Sequence, residues 1–477
     1  MQRLTGLDAS FLYLETPSSH MHVASLIILD PSETGNPVSV DEVKRVYGDR
    51  LHLAPPFRRR LVEVPFGLHH PLWIEDPDFD LDFHIRSTAI PAPGTTEQLT
   101  NLVSRLVALP LDRTRPLWEV WVIEGLEGGK VGCLSKVHHA AIDGASGNEL
   151  TVALLDLTPE IAYHEPEAEW VPDRIPTDAE LLGYAASSLA RQPVRVARAG
   201  VKTAGAAMAV RRRNRETPRL APPSPFSAPP TSFNTAITPR RSFAYQSISL
   251  PAVKAIRKKT GATINDVVLA LCSGALRRYF EKQGEELEGP LVAMVPVSVR
   301  SAEEKGDLGN RVTSVFASLA TDVDDPRERL DVIHDCMVDV KEQQQAIGAD
   351  TLGDWAEFAA PALAGTAARL YSRMKMADRH RPLFNVTISN VPGPAFPLYS
   401  IGARMDAIYP IGPIMDGGGL NMTVMSYLDS LDFGLLACPD VIPDVWQIAE
   451  GLQEALDELV AATGVKPAEI KKLARSA

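Results

Sequence analysis

The sequence has few cysteines and no long run of apolar residues. Its cysteines are widely spaced and include no C-x-x-C pair, so neither a disulfide framework nor a zinc ribbon is predicted; they are Cys133, Cys272, Cys336 and Cys438. No stretch approaches the roughly 18 uninterrupted apolar residues of a membrane span. The nearest, residues 355–371, is interrupted by Glu357, Pro361 and Arg369, and it predicts a buried helix of a soluble protein.

Positive charge is also scarce relative to negative charge. Lys and Arg number 48 against 60 Asp and Glu, a formal charge of -12, which argues against a surface built to neutralise nucleic-acid phosphates. The amino terminus reaches Asp8 before any apolar stretch long enough for a secretory signal. We therefore expect a cytoplasmic protein that has no nucleic-acid partner.

The chain is long enough for more than one domain. At roughly 150 residues per domain, 477 residues with 45% apolar content favour two large domains. In the first half, Trp118–Ile123 and Val131–Val137 predict a β-hairpin around GLEGGK. In the second half, INDVVLALCSGALRRYF predicts a helix, LVAMVPVSV and FNVTISNV predict strands, and NMTVMSY-LDS-LDFGLLA predicts a second hairpin. Both halves are thus expected to be α/β.

Proline is concentrated in the middle of the chain, with twelve between residues 159 and 240. This predicts a crossover linker at 159–240 between an N-terminal domain, residues 1–158, and a C-terminal domain, residues 241–477. Within the linker, residues 191–219 carry nine basic side chains and one acid, with apolar residues at helical spacing. A basic amphipathic helix suits an anionic lipid surface, although a solvated helix packed on the protein is an equal alternative.

The string HHAAIDG lies where a predicted strand gives way to a helix. Neighbouring strand side chains point to opposite faces, so His138 and His139 would not share one site, and alternation alone does not say which one faces it. A neutral imidazole can accept a proton from a hydroxyl as a general base. Asp143 could orient that ring, and Gly144 permits a tight turn. The alternative is two structural histidines with Asp143 as a helix N-cap.

HHAAIDG matches the HHxxxDG motif of CoA-dependent acyltransferases, and the preceding PLWEVWVIEGL resembles the bacterial wax ester synthase/diacylglycerol acyltransferase family. The resemblance continues through LTGLDASFLYLE with MHV, DPDFDLDFHI, INDVVLALC, Gly309-Asn310, FNVTISNVPGP and LDFGLLACPD. This ordered series covers nearly the whole chain, most weakly in the linker. It is far more specific than the HHxxxDG motif alone.

The resemblance implies an α/β fold of two chloramphenicol-acetyltransferase-like domains, each a mixed sheet covered by helices, with a tunnel at their interface. It implies acyl transfer from acyl-CoA to diacylglycerol or a long-chain alcohol, with no acyl-enzyme, no metal and no cofactor beyond the acyl-CoA co-substrate. His139 would be the general base and Asp143 a structural support, with Gly144 and His138 in supporting positions. The expected location is the cytoplasm, peripherally on the inner membrane face or on lipid droplets.

A tetrahedral oxyanion needs hydrogen-bond donors, and loss of one typically costs about 10²- to 10³-fold in rate. Asn265 lies in the family's ND motif, and FNVTISNVPGP contains the other oxyanion or substrate candidates, Thr387, Ser389 and Asn390. Their assignment to the oxyanion is our inference from residue type. Asn265-Asp266 could instead cap the helix that follows, and Pro116-Leu117-Trp118 could simply start and pack a strand.

Several other interpretations stay open. The chain could be a different acyltransferase of the same superfamily with another acceptor, or a catalytically silent lipid-droplet-binding protein; a purely structural role ranks lowest.

His69-His70 precedes another PLW but no Asp-Gly, and we expect it at the surface or in a loop. A zinc site at HHAAIDG is disfavoured because adjacent strand residues diverge. GASGN lacks the spacing of a serine nucleophile elbow.

Overall fold

The structure is a computed structural model that describes residues 2–35, 37–142, 152–164, 170–188, 226–298, 312–347 and 361–474, with the isolated residues 147, 150, 205 and 223. Helices occupy α1 (Gly6–Leu14), α2 (Val40–Arg50), α3 (Leu81–His84), α4 (Thr96–Val107), α5 (Leu250–Thr260), α6 (Ile264–Gln283), α7 (Pro326–Ile347), α8 (Pro361–Arg373), α9 (Trp446–Thr463) and α10 (Pro467–Ala474). Strands occupy β1 (Gln2–Arg3), β2 (His22–Asp30), β3 (Arg59–Val62), β4 (Leu72–Glu75), β5 (Ile85–Ala89), β6 (Trp118–Glu124), β7 (Val131–His138), β8 (Ser242–Ser249), β9 (Val292–Ser298), β10 (Val312–Ser318), β11 (Val386–Val391), β12 (Tyr399–Ser400), β13 (Ala403–Ile411), β14 (Leu420–Tyr427) and β15 (Ser430–Ala437).

Two six-stranded mixed sheets organise the molecule. The first sheet has the order β12-β13-β2-β7-β6-β5, and only its β5–β6 pair is parallel. The second has the order β10-β9-β11-β14-β15-β8, in which β11 runs parallel to both β9 and β14. We call the parts of the molecule built around these sheets the first lobe and the second lobe. The predicted hairpins are confirmed as β6–β7 and β14–β15, and the fold is α/β as predicted.

Helix α6 lies at the centre of the second lobe. Residues 266–276 are buried without a break because the helix packs against both sheet residues and α9. At Gly274 an added Cβ would come within 2.8 Å of Ala455 Cβ, so only glycine lets the two helices approach this closely. The helix is capped by Thr263, whose hydroxyl accepts the Asp266 N–H at 3.2 Å. Asp266 completes a capping box, because its Oδ2 accepts the Thr263 N–H at 2.8 Å. The alternative that Asn265-Asp266 caps the helix therefore holds for Asp266, although the N-cap residue itself is Thr263.

The two lobes share one stretch of chain. Strand β13 pairs antiparallel with β2 and so lies in the first sheet, although β11 before it and β14 after it belong to the second. Residues 399–411 thus join the first sheet from beyond the predicted linker. The predicted domain boundaries at residues 158 and 240 stay predictions. The chain also passes from the second sheet to the first before β13, and back again after it. Unfolding of either lobe is therefore expected to disrupt the other through β13.

The end of β13 contacts the second sheet at a position that tolerates no side chain. An added Cβ at Gly434 on β15 would lie 1.9 Å from the Pro410 carbonyl oxygen. We expect Gly434→Ala to lower the free energy of unfolding by about 3 kcal/mol, since overpacking against backbone is relieved only by moving a strand. Gly289→Ala, where no heavy atom lies within 4 Å of the added Cβ, should change it by less than about 0.5 kcal/mol. Urea unfolding of both variants tests this; equal stabilities would contradict it.

An aromatic stack fills the first lobe at the start of β6. Trp118 is buried, its indole N–H donates to the Phe57 carbonyl at 2.8 Å, and its ring stacks on Phe57 and His84 at 4.6 and 4.5 Å. His84 Nδ1–H in turn donates to the Trp118 carbonyl at 2.8 Å. Pro116-Leu117-Trp118 therefore starts and packs a strand, as one interpretation of the sequence predicted. Burial lowers the pKa of His84 to about 4.

That buried imidazole makes the fold sensitive to acid. In the unfolded chain His84 takes up a proton near its ordinary pKa of 6.5, whereas in the folded protein it does so only near 4. Stability is therefore lost as the pH falls below 6.5, by about 2 kcal/mol between pH 7 and pH 5. His84→Asn keeps a donor for Trp118 without the titration, and its urea-unfolding free energy should fall less over that interval. Identical pH slopes would contradict the prediction.

The described parts of the predicted linker pack on both lobes. The Trp170 indole N–H donates to Glu75 Oε2 at 2.9 Å, and Asn234 Nδ2 donates to the Asn385 and Gly417 carbonyls at 2.9 and 2.8 Å. The predicted basic helix at 191–219 lies outside the described residues, apart from residue 205.

The prediction of a buried helix over 355–371 is wrong for the part that is described. Helix α8 begins at Pro361, and its Leu363 and Leu370 are 73% and 53% exposed. None of the helices in the described ranges has both the length and the apolar character needed to cross a bilayer.

Candidate active site

The two adjacent histidines mark the end of β7, where the chain leaves the first sheet. The His138 amide donates to Leu117 on one side of the strand at 2.9 Å, and the His139 amide donates to Met21 on the other at 2.8 Å. This alternation continues the strand pattern through His139, as the sequence predicts. Ala141 N–H then donates to the His138 carbonyl at 2.9 Å and closes a tight turn. The turn fixes the backbone that carries both imidazoles.

His138 is buried and its tautomer follows from its partners. The Ala140 N–H donates to His138 Nδ1 at 3.0 Å, so Nδ1 is unprotonated and the ring proton sits on Nε2. Nε2 lies 3.2 Å from Glu15 Oε1. His138 is therefore held from both ends and joins the turn to the carboxylate of Glu15.

Glu15 lies beside the histidine turn and was not singled out from the sequence. It ends α1, and its carboxylate lies 3.2 Å from His138 Nε2 and accepts from the Met21 N–H at 3.0 Å and from Arg113 Nη2 at 2.6 Å. Burial opposes ionisation, but the bonds from His138 and Arg113 outweigh it and hold the pKa of Glu15 well below its usual range. Glu15 thus carries negative charge beside the turn. Its only sequence signal was its place in LTGLDASFLYLE, where the local pattern marks nothing but a helix end.

His139 differs from its neighbour because its ring is partly exposed. The imidazole stacks on Phe11 of α1, with ring centroids 4.1 Å apart and planes at 14°. Its Nδ1 atom is buried, whereas the residue as a whole is half-buried. Helix α1 therefore orients both histidines, His139 through Phe11 and His138 through Glu15.

Basic groups behind the turn serve the fold. Lys136, two residues before His138, is buried and donates to the Leu106 and Leu109 carbonyls at 3.2 and 3.0 Å, where α4 ends. Burial lowers the pKa of Lys136. The pKa of His22 is held well below its usual range, mainly by burial and secondly by the positive charge of nearby Lys136. His22 Nε2–H donates to the Val107 carbonyl at 2.8 Å. These contacts satisfy carbonyls at the C-terminal end of α4, and His22 does so as a neutral ring.

The predicted supporting residues Asp143 and Gly144 lie outside the described residues, and their roles stay predictions. Within the described ranges, no group of three or more His, Cys, Asp or Glu side chains is placed to hold a metal ion.

The four oxyanion candidates lie in the second lobe, whereas His139 lies in the first. Thr387 and Ser389 alternate with the buried Val386 and Ile388, so they share the face of β11 that points away from the core around α6. Asn390 has the opposite parity. Asn265 occupies the first turn of α6, where it is partly buried. Of the four, only Thr387 and Ser389 are placed on a common face.

His69-His70 was expected at the surface or in a loop; it lies in a loop, but not at the surface. Both histidines are buried; His70 Nδ1 and the Tyr13 hydroxyl lie 2.7 Å apart, and so do His69 Nε2 and the Ser188 hydroxyl. They pack beneath α1 and the helical residues 178–188. No local periodicity in the sequence reports such burial, because the covering residues are far away along the chain.

The arrangement of two sheet-based lobes is shared with solved enzymes. A condensation domain of the calcium-dependent antibiotic synthetase is 17% identical with a TM-score of 0.55, over 97% of this chain and 95% of that one, and this likeness concerns the fold alone. The wax ester synthase/diacylglycerol acyltransferase of Marinobacter aquaeolei VT8 is 30% identical with a TM-score of 0.66, over 97% of this chain and 100% of that one. The two-lobed acyltransferase-type fold expected from the sequence is confirmed.

Sequence comparisons are more specific. The wax ester synthase/diacylglycerol acyltransferase catalytic domain matches residues 4–268, and the C-terminal domain of the same family matches residues 308–460. Two Mycobacterium tuberculosis proteins named as candidate diacylglycerol O-acyltransferases are 38% and 36% identical; the alignments cover 98% and 96% of this chain and 92% and 98% of theirs. The chain belongs to the wax ester synthase/diacylglycerol acyltransferase family. The predicted family and the prediction of an acyltransferase are confirmed.

Proposed function

We propose that this protein transfers the acyl group of a long-chain acyl-CoA to the hydroxyl of diacylglycerol or of a long-chain alcohol, with His139 as general base. One observation supports this above the others. The turn after β7 presents a partly exposed imidazole, stacked on Phe11, while its neighbour His138 is buried and held by Glu15. One histidine is thereby available to a substrate and the other maintains the turn.

The half-buried imidazole of His139 suits a direct transfer. Its Nε2 takes the proton of the acceptor hydroxyl as the oxygen attacks the thioester carbonyl, and a new C–O bond forms. The tetrahedral intermediate then expels the CoA thiolate, which takes the proton back from the imidazolium. The products are the ester and free CoA, and no side chain becomes acylated. Such positioned bases typically contribute about 10²- to 10⁴-fold to the rate.

The second lobe supplies candidates for binding the oxyanion. Thr387 and Ser389 share the face of β11 turned away from the core and carry hydroxyl donors. Asn265 and Asn390 carry amide donors. We assign Thr387 and Ser389 first, because they alone among the four lie on one face. A site between the lobes, with the base on one and the donors on the other, agrees with the predicted tunnel that would admit acyl-CoA and the lipid acceptor separately.

The acceptors are lipids, so the protein is proposed to work peripherally at the cytoplasmic face of a membrane or at a lipid droplet. The basic helix predicted at 191–219 would contribute by attracting anionic headgroups.

The function is tested by incubating the purified full-length chain with palmitoyl-CoA and either dioleoylglycerol or hexadecanol. We expect thiol release that depends on the acceptor and matches ester formed, one for one. Thiol release without an acceptor would indicate a thioesterase. Lipid binding without thiol release would indicate the catalytically silent alternative.

A further inference from the structure

Helix α8 is amphipathic in the reverse of the usual sense. A surface helix normally turns its apolar stripe toward the core. Here the buried or half-buried positions are mostly small residues, and they are Ala364, Gly365, Ala368, Tyr371 and Ser372. The opposite side carries Leu363, Ala367 and Leu370 at helical spacing, followed by Met374 one further turn on, and all of them are exposed. The apolar face of this helix therefore points to solvent.

Other exposed apolar side chains lie beside α8. The helix packs against α1, which ends at Leu14, and against the short turn Pro65–Gly67. Leu14 is 47% exposed, Leu68 46% and Phe66 85%. Phe66 also has a φ of 61°, in the left-handed region that a bulky residue avoids unless its surroundings impose it. We call Leu14, Phe66, Leu68 and the outward face of α8 the α8 patch.

The charge around the patch is opposite in sign to that of the whole chain. From Arg369 to Arg381 there are five basic side chains and one acid, Asp378, against a formal charge of -12 overall. The acid is exposed as well, and its Oδ1 accepts the Ala236 N–H at 2.7 Å. The basic side chains are exposed; they are Arg369, Arg373, Lys375, Arg379 and Arg381. Of these, Arg381 pairs with Glu288 at 2.9 Å, and the other four carry the positive charge of this border. An apolar stripe with a basic border matches an interface of acyl chains and anionic headgroups.

The shape of the patch favours a lipid surface over a protein. Its apolar side chains stand on the outward face of α8, at the end of α1 and at the turn near Phe66. Burying them in a protein partner would require a fitted groove, whereas lipid accepts them without fixed complementarity. The buried side of α8 rests on α1, the helix whose Phe11 stacks on His139. A lipid surface at the patch would therefore lie one helix away from the candidate base.

We propose that the α8 patch docks this protein on a phospholipid surface that contains anionic lipid, and that the lipid acceptor enters from there. The entry of the acceptor from this surface rests on the proposed function, whereas the binding to lipid does not. The α8 patch contains none of the residues 191–219 of the predicted basic helix. Each leucine taken fully out of water contributes about ten-fold or more to partitioning.

The test uses the full-length chain and sedimentation with vesicles of phosphatidylcholine, with and without phosphatidylglycerol. The variant Leu363→Ser/Leu370→Ser should bind vesicles containing phosphatidylglycerol at least about ten-fold more weakly than wild type. Phe66→Asn, which suits the positive φ, should also bind more weakly. The control Leu157→Ser changes a leucine that is 61% exposed outside the patch, and it should bind like wild type.

Activity separates the two proposals. With a short alcohol dissolved in water, the double variant should release CoA at the wild-type rate, whereas with dioleoylglycerol in vesicles its rate should fall with its binding. The inference would be overturned if the double variant bound vesicles as well as wild type, or if Leu157→Ser lost as much binding as the double variant. It would also be overturned if wild-type binding did not depend on phosphatidylglycerol. So would a wild-type dimer that becomes monomeric in the double variant with vesicle binding intact. A wild type that turns over no alcohol would overturn the proposed function and leave the binding result standing.

Discussion

Replacing His139 with glutamine is expected to lower acyl transfer by about 10²- to 10⁴-fold, the contribution of a positioned general base. Glutamine keeps a flat polar group against Phe11 but cannot accept and return a proton. Because His139 is partly exposed at the end of β7, the substitution should leave the fold intact. Thiol release from palmitoyl-CoA with hexadecanol measures the rate, and thermal unfolding monitors the fold.

The matched control is the same substitution one residue earlier. His138→Gln can still donate from Nε2 to Glu15, so we expect turnover within about ten-fold of wild type and a modest loss of stability. His138→Ala removes the donor and should mainly weaken packing around the turn. If His139→Gln worked at the wild-type rate, or if His138→Gln were the inactive member of the pair, the assignment of the base would be wrong.

Replacing Glu15 with alanine is expected to lower the free energy of unfolding by about 3 kcal/mol, the lower end for breaking a buried ion pair. The low end applies because Arg113 is 38% exposed and can turn to water. The Met21 amide and the His138 ring proton lose their acceptor as well. We also expect kcat to fall by about 10- to 100-fold, since the turn that carries His139 is no longer fixed to α1. Urea unfolding and steady-state kinetics measure the two effects.

Glu15→Gln separates position from charge. Its carbonyl oxygen can still accept from His138 and Met21, so kcat should recover most of the loss seen in the alanine variant while KM stays near wild type in both. The stabilisation due to ionised Glu15 is present above the ordinary pKa of 4.5 and is lost as the pH falls toward its lowered folded value. Stability of Glu15→Gln should accordingly vary less with pH in acid. A rise in KM without a change in kcat would contradict a positioning role.

Local sequence patterns predicted the individual elements well. Helix α6 and the hairpins β6–β7 and β14–β15 were predicted from periodicity and turn residues, and each is present. HHAAIDG was placed at the end of a strand, and β7 ends at His138. These features depend on residues close together along the chain, where hydrophobic spacing and turn chemistry determine the structure.

Contacts between distant parts of the chain were not predicted. The pairing of β13 with β2 joins residues nearly four hundred positions apart, and strand periodicity specifies a face but not a partner. For the same reason the sequence did not place Glu15 and Phe11 beside the histidines, nor bury His69 and His70. The outward apolar face of α8 was missed because spacing alone does not show which side of an amphipathic helix meets solvent.

The late arrival of β13 has a consequence during synthesis on the ribosome. Strands β2, β6 and β7 are complete once residue 138 emerges, yet β13, which covers the free side of β2, ends only at residue 411. At about 5–20 residues per second, β2 stays an open edge for some tens of seconds. An uncovered edge strand offers unpaired amides and carbonyls to other nascent chains. Slower translation should therefore increase aggregation of this protein, and a chaperone that shields extended edges should increase its soluble yield.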